Sequence, residues 1–126
     1  VSFRPIFDSL EKAGIVYIFR DEGVDCGMFK LIPQQHRNHH IAYLGGLAIH
    51  PVFAGKGLGP RMMQAIIALG ADMHLLRIEL SVADFNHRAI KLYEVAGFKK
   101  EGTLRKYTHL VSENRFIDEI MMAYLY

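Results

Sequence analysis

The chain has 126 residues, room for one domain around one core, with 51% of them apolar and 22% charged. A net charge of +2, with Lys and Arg scattered, excludes a nucleic-acid-binding stripe. No apolar run approaches the ~20 residues that span a bilayer, and the N-terminus lacks a charged-then-apolar leader. Cys26 is the single cysteine, so no intrachain disulfide can form and a reducing, cytoplasmic setting is expected.

Ser2 to Ala13 reads as a short helix ending at Gly14, because Phe3, Ile6, Phe7 and Leu10 share one face. Ile15 to Arg20 is a β-rich run, Asp21-Glu22-Gly23 is turn chemistry, and the chain returns through Val24 to Ile32. Pro33 to His40 is a polar hairpin tip, and Ile41 to Ile49 is the next strand. Gly45-Gly46 inside that strand signals a bulge or a close backbone approach. From Gly57 to Ala71 the period becomes helical, with Leu58, Met62, Ala65, Ile66 and Leu69 on one side. Leu75 to Val82 is an apolar strand containing Arg77 and Glu79. Asn86 opens a second helix with Ala89, Ile90, Tyr93 and Ala96 inside, and Gly97 suits its left-handed stop. Phe98 to Leu110 and Phe116 to Leu125 are closing strands around Ser112-Glu113-Asn114. This order predicts an α/β (α+β) sheet with helices on both faces.

Two segments carry chemistry. The first is Ala54-Gly55-Lys56-Gly57-Leu58-Gly59, between a strand and a helix. Glycines here let backbone amides approach a phosphate or diphosphate, and the helix adds unpaired N–H groups and a positive dipole end. The spacing fits neither a P-loop nor the Gly-x-Gly-x-x-Gly dinucleotide fingerprint. A tight turn capping a helix is the structural alternative. The second segment runs from Asn86 to Phe98. Asn86 is a good N-cap, and Leu92 and Phe98 suit a core. Tyr93 is the odd residue, since a phenol on an inner helix face wants a partner for its hydroxyl.

Taken together, the two segments resemble the signatures of the GNAT superfamily of N-acetyltransferases. Its first motif is Arg/Gln-x-x-Gly-x-Gly/Ala at a strand-to-helix turn. The second, Asn-x-x-Ala-x-x-Leu-Tyr-x-x-x-Gly-Phe, is matched by Asn86, Ala89, Leu92, Tyr93, Gly97 and Phe98. Glu101-Gly102-Thr103-Leu104-Arg105, then Asp118-Glu119 and Met122-Ala123, is similar to the branch containing L-amino-acid and ribosomal-protein N-acetyltransferases. The resemblance covers roughly residues 15 to 126. It implies a mixed, mostly antiparallel splayed sheet, with acetyl-CoA as co-substrate wedged in the splay. By the same resemblance, the backbone of Leu47, Ala48 and Ile49 pairs with the pantetheine arm. Amides from Gly55 through Lys56, Gly57 and Leu58 to Gly59 hold the diphosphate. Asn86 hydrogen-bonds the donor, and Tyr93 is the general acid beside the sulfur.

Three departures stand out. Ala54 replaces the family's Arg or Gln at the first motif position, removing a phosphate contact worth about 1–3 kcal/mol if charged. Lys56 compensates in part. Leu44 lies near the position where some members carry a catalytic Glu. The family's first strand and first helix are missing, which implies a truncated chain, a divergent N-terminus or completion by another chain.

A free α-amine, with a pKa of about 7.7–8.0, is already about a tenth neutral at pH 7; a lysine-like amine near 10.4 is not. Without an evident base the chain therefore favours an α-amine acceptor, or proton removal through water. The expected acceptor is an amino acid, a small amine or a peptide N-terminus. Glu79 is the candidate base by position, with an ion pair to Arg77 or Arg105 as its structural alternative. His50 reads as structural beside Pro51, and His36, His39 and His40 as a solvated turn, so no metal is expected. Cys26 is a small strand residue, and the Met62-Met63 and Met121-Met122 pairs are core filler. Two rivals remain: a non-catalytic acyl-CoA-binding or regulatory module on the same fold, and a nucleotide-binding domain unrelated to CoA. No nucleic-acid or membrane partner is expected, and exposed closing strands suggest a homodimer.

Overall fold

In the computed structural model, which describes residues 2–8, 15–53 and 55–126, these patterns become seven strands and two α-helices. The strands are β1 (Ser2–Asp8), β2 (Ile15–Asp21), β3 (Val24–Pro33), β4 (Ile41–Ile49), β5 (Arg77–Ala83), β6 (Lys99–Leu110) and β7 (Arg115–Leu125). The helices are α1 (Leu58–Asp72), between β4 and β5, and α2 (His87–Ala96), between β5 and β6. One sheet runs in the order β1-β2-β3-β4-β5-β7-β6. Every neighbouring pair is antiparallel except β4 and β5, so the sheet is mixed and mostly antiparallel, as expected.

The N-terminus corrects the reading of the sequence. Ser2–Asp8 is not the start of a helix but the edge strand β1, pairing Ser2 with Arg20 and Asp8 with Ile15. Phe3, Ile6 and Phe7 have helical spacing, but pairing with β2 overrides it in so short a run. Pro5 lies beside the register shift between Pro5 and Phe7, on an edge strand where proline is tolerated. Residues 9–13 and Gly14, the rest of that expected helix, lie outside the described residues.

Both described helices pack on one face of the sheet and touch one another. The strand order supplies the reason. The chain steps from β4 to β5 and then past β7 to β6, in the same direction, between parallel strands each time. Right-handed crossovers then put both helices on the same side. Ile78, Leu80 and Val82 of β5 face them and are buried. With Phe19, Phe29, Leu31, Met62, Met63, Ile66 and Met122 they form the core. The other face of β5 carries Arg77, Glu79 and Ser81, which bond to Glu101, Gln34 and Tyr43 respectively. Among the described residues, no helix is long and apolar enough to cross a membrane.

One feature of the sheet positions the site. The parallel pair has only three rungs, Ile41 to Arg77, Ala42 to Ile78 and Tyr43 to Glu79. Beyond Tyr43 and Glu79 the two strands diverge. β4 continues with β3 on one side only, through a bulge at Gly46 and Leu47, one residue on from the Gly45-Gly46 expected, while β5 stays with β7.

Candidate active site

The divergence leaves the β5-facing edge of β4 from Leu44 to Ile49 without a strand partner. Main-chain donors and acceptors on such an edge accept an extended ligand as a further strand would be accepted. Leu47 and Ile49 pack against the core, which fixes this edge from behind.

The edge leads into the glycine turn. Gly55 has φ +76° and Gly57, the N-cap of α1, has φ +73°, conformations that cost other residues about 1–2 kcal/mol. No side chain caps α1. Its first-turn amides are thus not claimed by a cap, and they face outward with the positive end of the helix dipole. A groove of about 630 Å³ runs between this turn and α2, within the range of ligand pockets. Ile49, Gly55, Gly57, Leu58, Gly59 and Asn86, all named in the sequence reading, line it. Leu47, Ala48 and Lys56 do not line it directly. Ala54 lies outside the described residues.

Asn86 caps α2 and lines the groove. Its Oδ1 accepts a hydrogen bond from the Ala89 amide at 3.1 Å, the N-cap interaction that starts α2. The side-chain NH₂ is not used by the cap and belongs to a residue that lines the groove. Tyr93, two turns further along α2, is half-buried against the core, its ring 6.1 Å from Phe98. It does not line the groove, although its neighbour Leu92 does. Burial, and to a smaller extent the nearby Tyr43 phenol, raises its pKa above the ordinary tyrosine value.

At the root of the divergence, Tyr43 and Ser81 join the two strands through a 2.9 Å hydroxyl pair. Glu79 sits in the last rung. Its Oε2 accepts from Arg77 Nε at 2.8 Å and its Oε1 from Gln34 Nε2 at 3.1 Å, so the ion pair with Arg77 weighed against a base role is present. Arg77 also reaches over β7 to grip Glu101 with both terminal nitrogens, one at 3.0 Å, which holds the Glu101 carboxyl below its usual range.

The remaining chemistry-bearing residues have local roles. His50 Nδ1 accepts from the Val52 amide at 3.2 Å. His39 Nδ1 meets the His36 carbonyl at 2.8 Å within the hairpin tip. Cys26 is buried, with its thiol 3.7 Å from the Phe19 carbonyl. Sequence reasoning missed Arg88 and Lys91, which also line the groove. Their signal was legible: they follow the N-cap by two and five residues and share a helix face. The Tyr43–Ser81 pair had no local signal, since it depends on the β4–β5 register.

The sequence model of the acetyltransferase (GNAT) family matches residues 2–98. The spermine/spermidine N(1)-acetyltransferase of Bacillus subtilis (strain 168) is 34% identical over 79 residues, 62% of this chain and 51% of that protein. The L-amino acid N-acetyltransferase AaaT of Escherichia coli (strain K12) is 30% identical over 93 residues, 73% of this chain and 56% of that one. The chain thus spans about half the length of these curated relatives. Among solved structures, a chimera of the Vibrio cholerae spermidine N-acetyltransferase SpeG with hSSAT superposes with a TM-score of 0.80 at 26% identity, covering 92% of this chain and 71% of that one. The ribosomal-protein-alanine N-acetyltransferase of Brucella melitensis gives 0.77 at 19% identity, covering 89% and 68%, a likeness of fold alone.

Proposed function

Because the chain belongs to the GNAT acetyltransferase family, we propose that it moves the acetyl group of acetyl-CoA onto a primary amine of an amino acid, a small amine or a peptide N-terminus. The observation that carries this reading is the three-rung parallel pair opening directly into a glycine-lined groove. A free strand edge suits the amide-bearing pantetheine arm, and uncapped helix amides suit the diphosphate. The relatives named for amine acetylation support the acceptor class.

Acetyl-CoA supplies an activated acyl group, whose transfer breaks the carbon–sulfur bond while the amine gives up a proton and the sulfur gains one. The chain's part is to bind, orient and manage protons. The β4 edge and the α1 amides fix the donor's orientation. Tyr93 is the proposed general acid. Its pKa, raised by burial, stands further above a thiol's ~8.5, so the phenol gives its proton to the departing sulfur slightly uphill and regains one from water, which takes up the proton the amine releases. Glu79, the candidate base, already accepts from Arg77 and Gln34, so proton removal from the amine is proposed to run through Glu79 or through water. This again suits an acceptor that is partly neutral at pH 7.

Thiol release from acetyl-CoA with a panel of amines tests the proposal. Turnover is expected, and Tyr93→Phe should lower kcat about 100-fold with little change in the donor's KM. Absence of both turnover and CoA binding ends it. A second reading, a non-catalytic acyl-CoA-binding module, draws on the engaged Glu79 and on Tyr93 lying off the groove lining. It expects CoA affinity without turnover, and a kcat loss in Tyr93→Phe removes it.

A further inference from the structure

The groove lining contains two side-chain cations and no carboxylate. Arg88 and Lys91 lie three residues apart on α2, hence on one helix face. Among the described residues, neither has a carboxylate partner. Arg20, Arg61, Arg77, Arg115 and Lys100, by contrast, are all paired with Asp or Glu. Glu94, three residues beyond Lys91 and within reach of it by spacing, pairs with Lys100 at 3.9 Å instead. Two like charges so placed repel each other, and an anion between them relieves the repulsion.

The inference rests on reading this groove as the acyl-CoA site. CoA has two separate phosphate-bearing places, the diphosphate and the 3′-phosphate on its ribose. The groove likewise has two kinds of donor, on opposite walls. One wall is the glycine turn, whose main-chain amides suit the bridging diphosphate. The other is α2, with a planar guanidinium and an ammonium that suit a terminal phosphate dianion. We propose that Arg88 and Lys91 hold the 3′-phosphate of CoA and thereby set the preference of this chain for CoA over donors that lack that group. Both side chains are exposed, so the contact is solvated and salt-sensitive.

Calorimetric titration of the 126-residue chain with CoA and with dephospho-CoA, at low and raised ionic strength, tests this. Native protein should bind CoA about tenfold more tightly at low salt, with the ratio shrinking as salt rises. In Arg88→Gln/Lys91→Gln the ratio should fall to about one, through loss of CoA affinity alone. Native-like affinity for dephospho-CoA in that variant shows that it is folded. Equal native affinities for the two ligands overturn the proposal. So does a variant that weakens both ligands by the same factor, which would assign the cations to the diphosphate. If native protein binds neither ligand, the CoA reading itself falls, a result distinct from these two.

Discussion

Asn86 couples a folding role to a proposed binding one. Its carbonyl oxygen caps α2, and under the proposed function its NH₂, on a residue that lines the groove, bonds the donor. Asn86→Asp separates the two roles. Aspartate caps as well as asparagine, so stability should change by less than about 0.5 kcal/mol in urea unfolding. CoA affinity should fall, because a donor is replaced by a negative charge facing phosphates. Asn86→Ala, lacking the cap, should cost about 1 kcal/mol as well. Gly70 is a second residue-scale case. A Cβ there would collide with the Tyr126 hydroxyl and come within 2.9 Å of Ile78 Cδ1. Gly70→Ala should therefore lose about 1–2 kcal/mol net, overpacking outweighing alanine's helix propensity of about 1 kcal/mol. The Tyr126 hydroxyl donates to the Ile67 carbonyl at 2.6 Å, and burial pushes its pKa up to about 12. The folded chain holds that proton more tightly than the unfolded chain, whose tyrosines titrate near 10. Its stabilising contribution is whole below pH ~10 and is lost as pH rises toward 12. Tyr126→Phe should flatten the alkaline limb of a stability–pH curve. Tyr17 and Tyr93, also raised by burial, leave a residual slope.

Among the elements, β5 and the two strands beyond it are tied by Arg77. The guanidinium spans β7, binding Glu79 on its own strand and Glu101 on β6. Its neighbours keep it protonated throughout the accessible pH range. Arg77→Met should destabilise by about 1–2 kcal/mol, since it leaves the half-buried Glu79 with Gln34 alone. The same substitution should change the acid limb. Arg77 lowers the Glu101 pKa, so that interaction is present above the ordinary value of about 4.5 and is lost as pH falls through the depressed one. Without Arg77, that part of the acid slope should disappear from urea midpoints measured across the carboxylate range. The helices were the most legible elements, because cap chemistry is local. Gly97 takes the left-handed conformation expected after α2, and Gly57 takes it at the start of α1. Ser2–Asp8 was the least legible, because its apolar spacing is ambiguous and only β2 resolves it.

At the scale of the molecule, the divergence of β4 and β5 decides what the fold can hold. A ligand that completes the free β4 edge binds only the folded chain, so CoA at 100 times its Kd should add about 2.7 kcal/mol to unfolding free energy. A thermal shift that saturates with CoA checks this, and none should appear with free pantothenate, which lacks the phosphates. The placement of both helices on one face also belongs to this scale. It leaves Arg77, Glu79 and Ser81 on the opposite face, bonded to Glu101, Gln34 and Tyr43.

The sequence alone determined the order and type of every element from Ile15 onward, the turn that presents its amides, and the cap that starts α2. All of these are set by neighbours within about four residues. Tertiary structure alone decided three things: that residues 2–8 are strand, that both helices share a face, and that Arg88 and Lys91 stand across a groove from the glycines. Each depends on strand order and on contacts between residues far apart in the chain. Local periodicity is blind to these, because pairing energy is set by which strand comes alongside rather than by the run of residues itself.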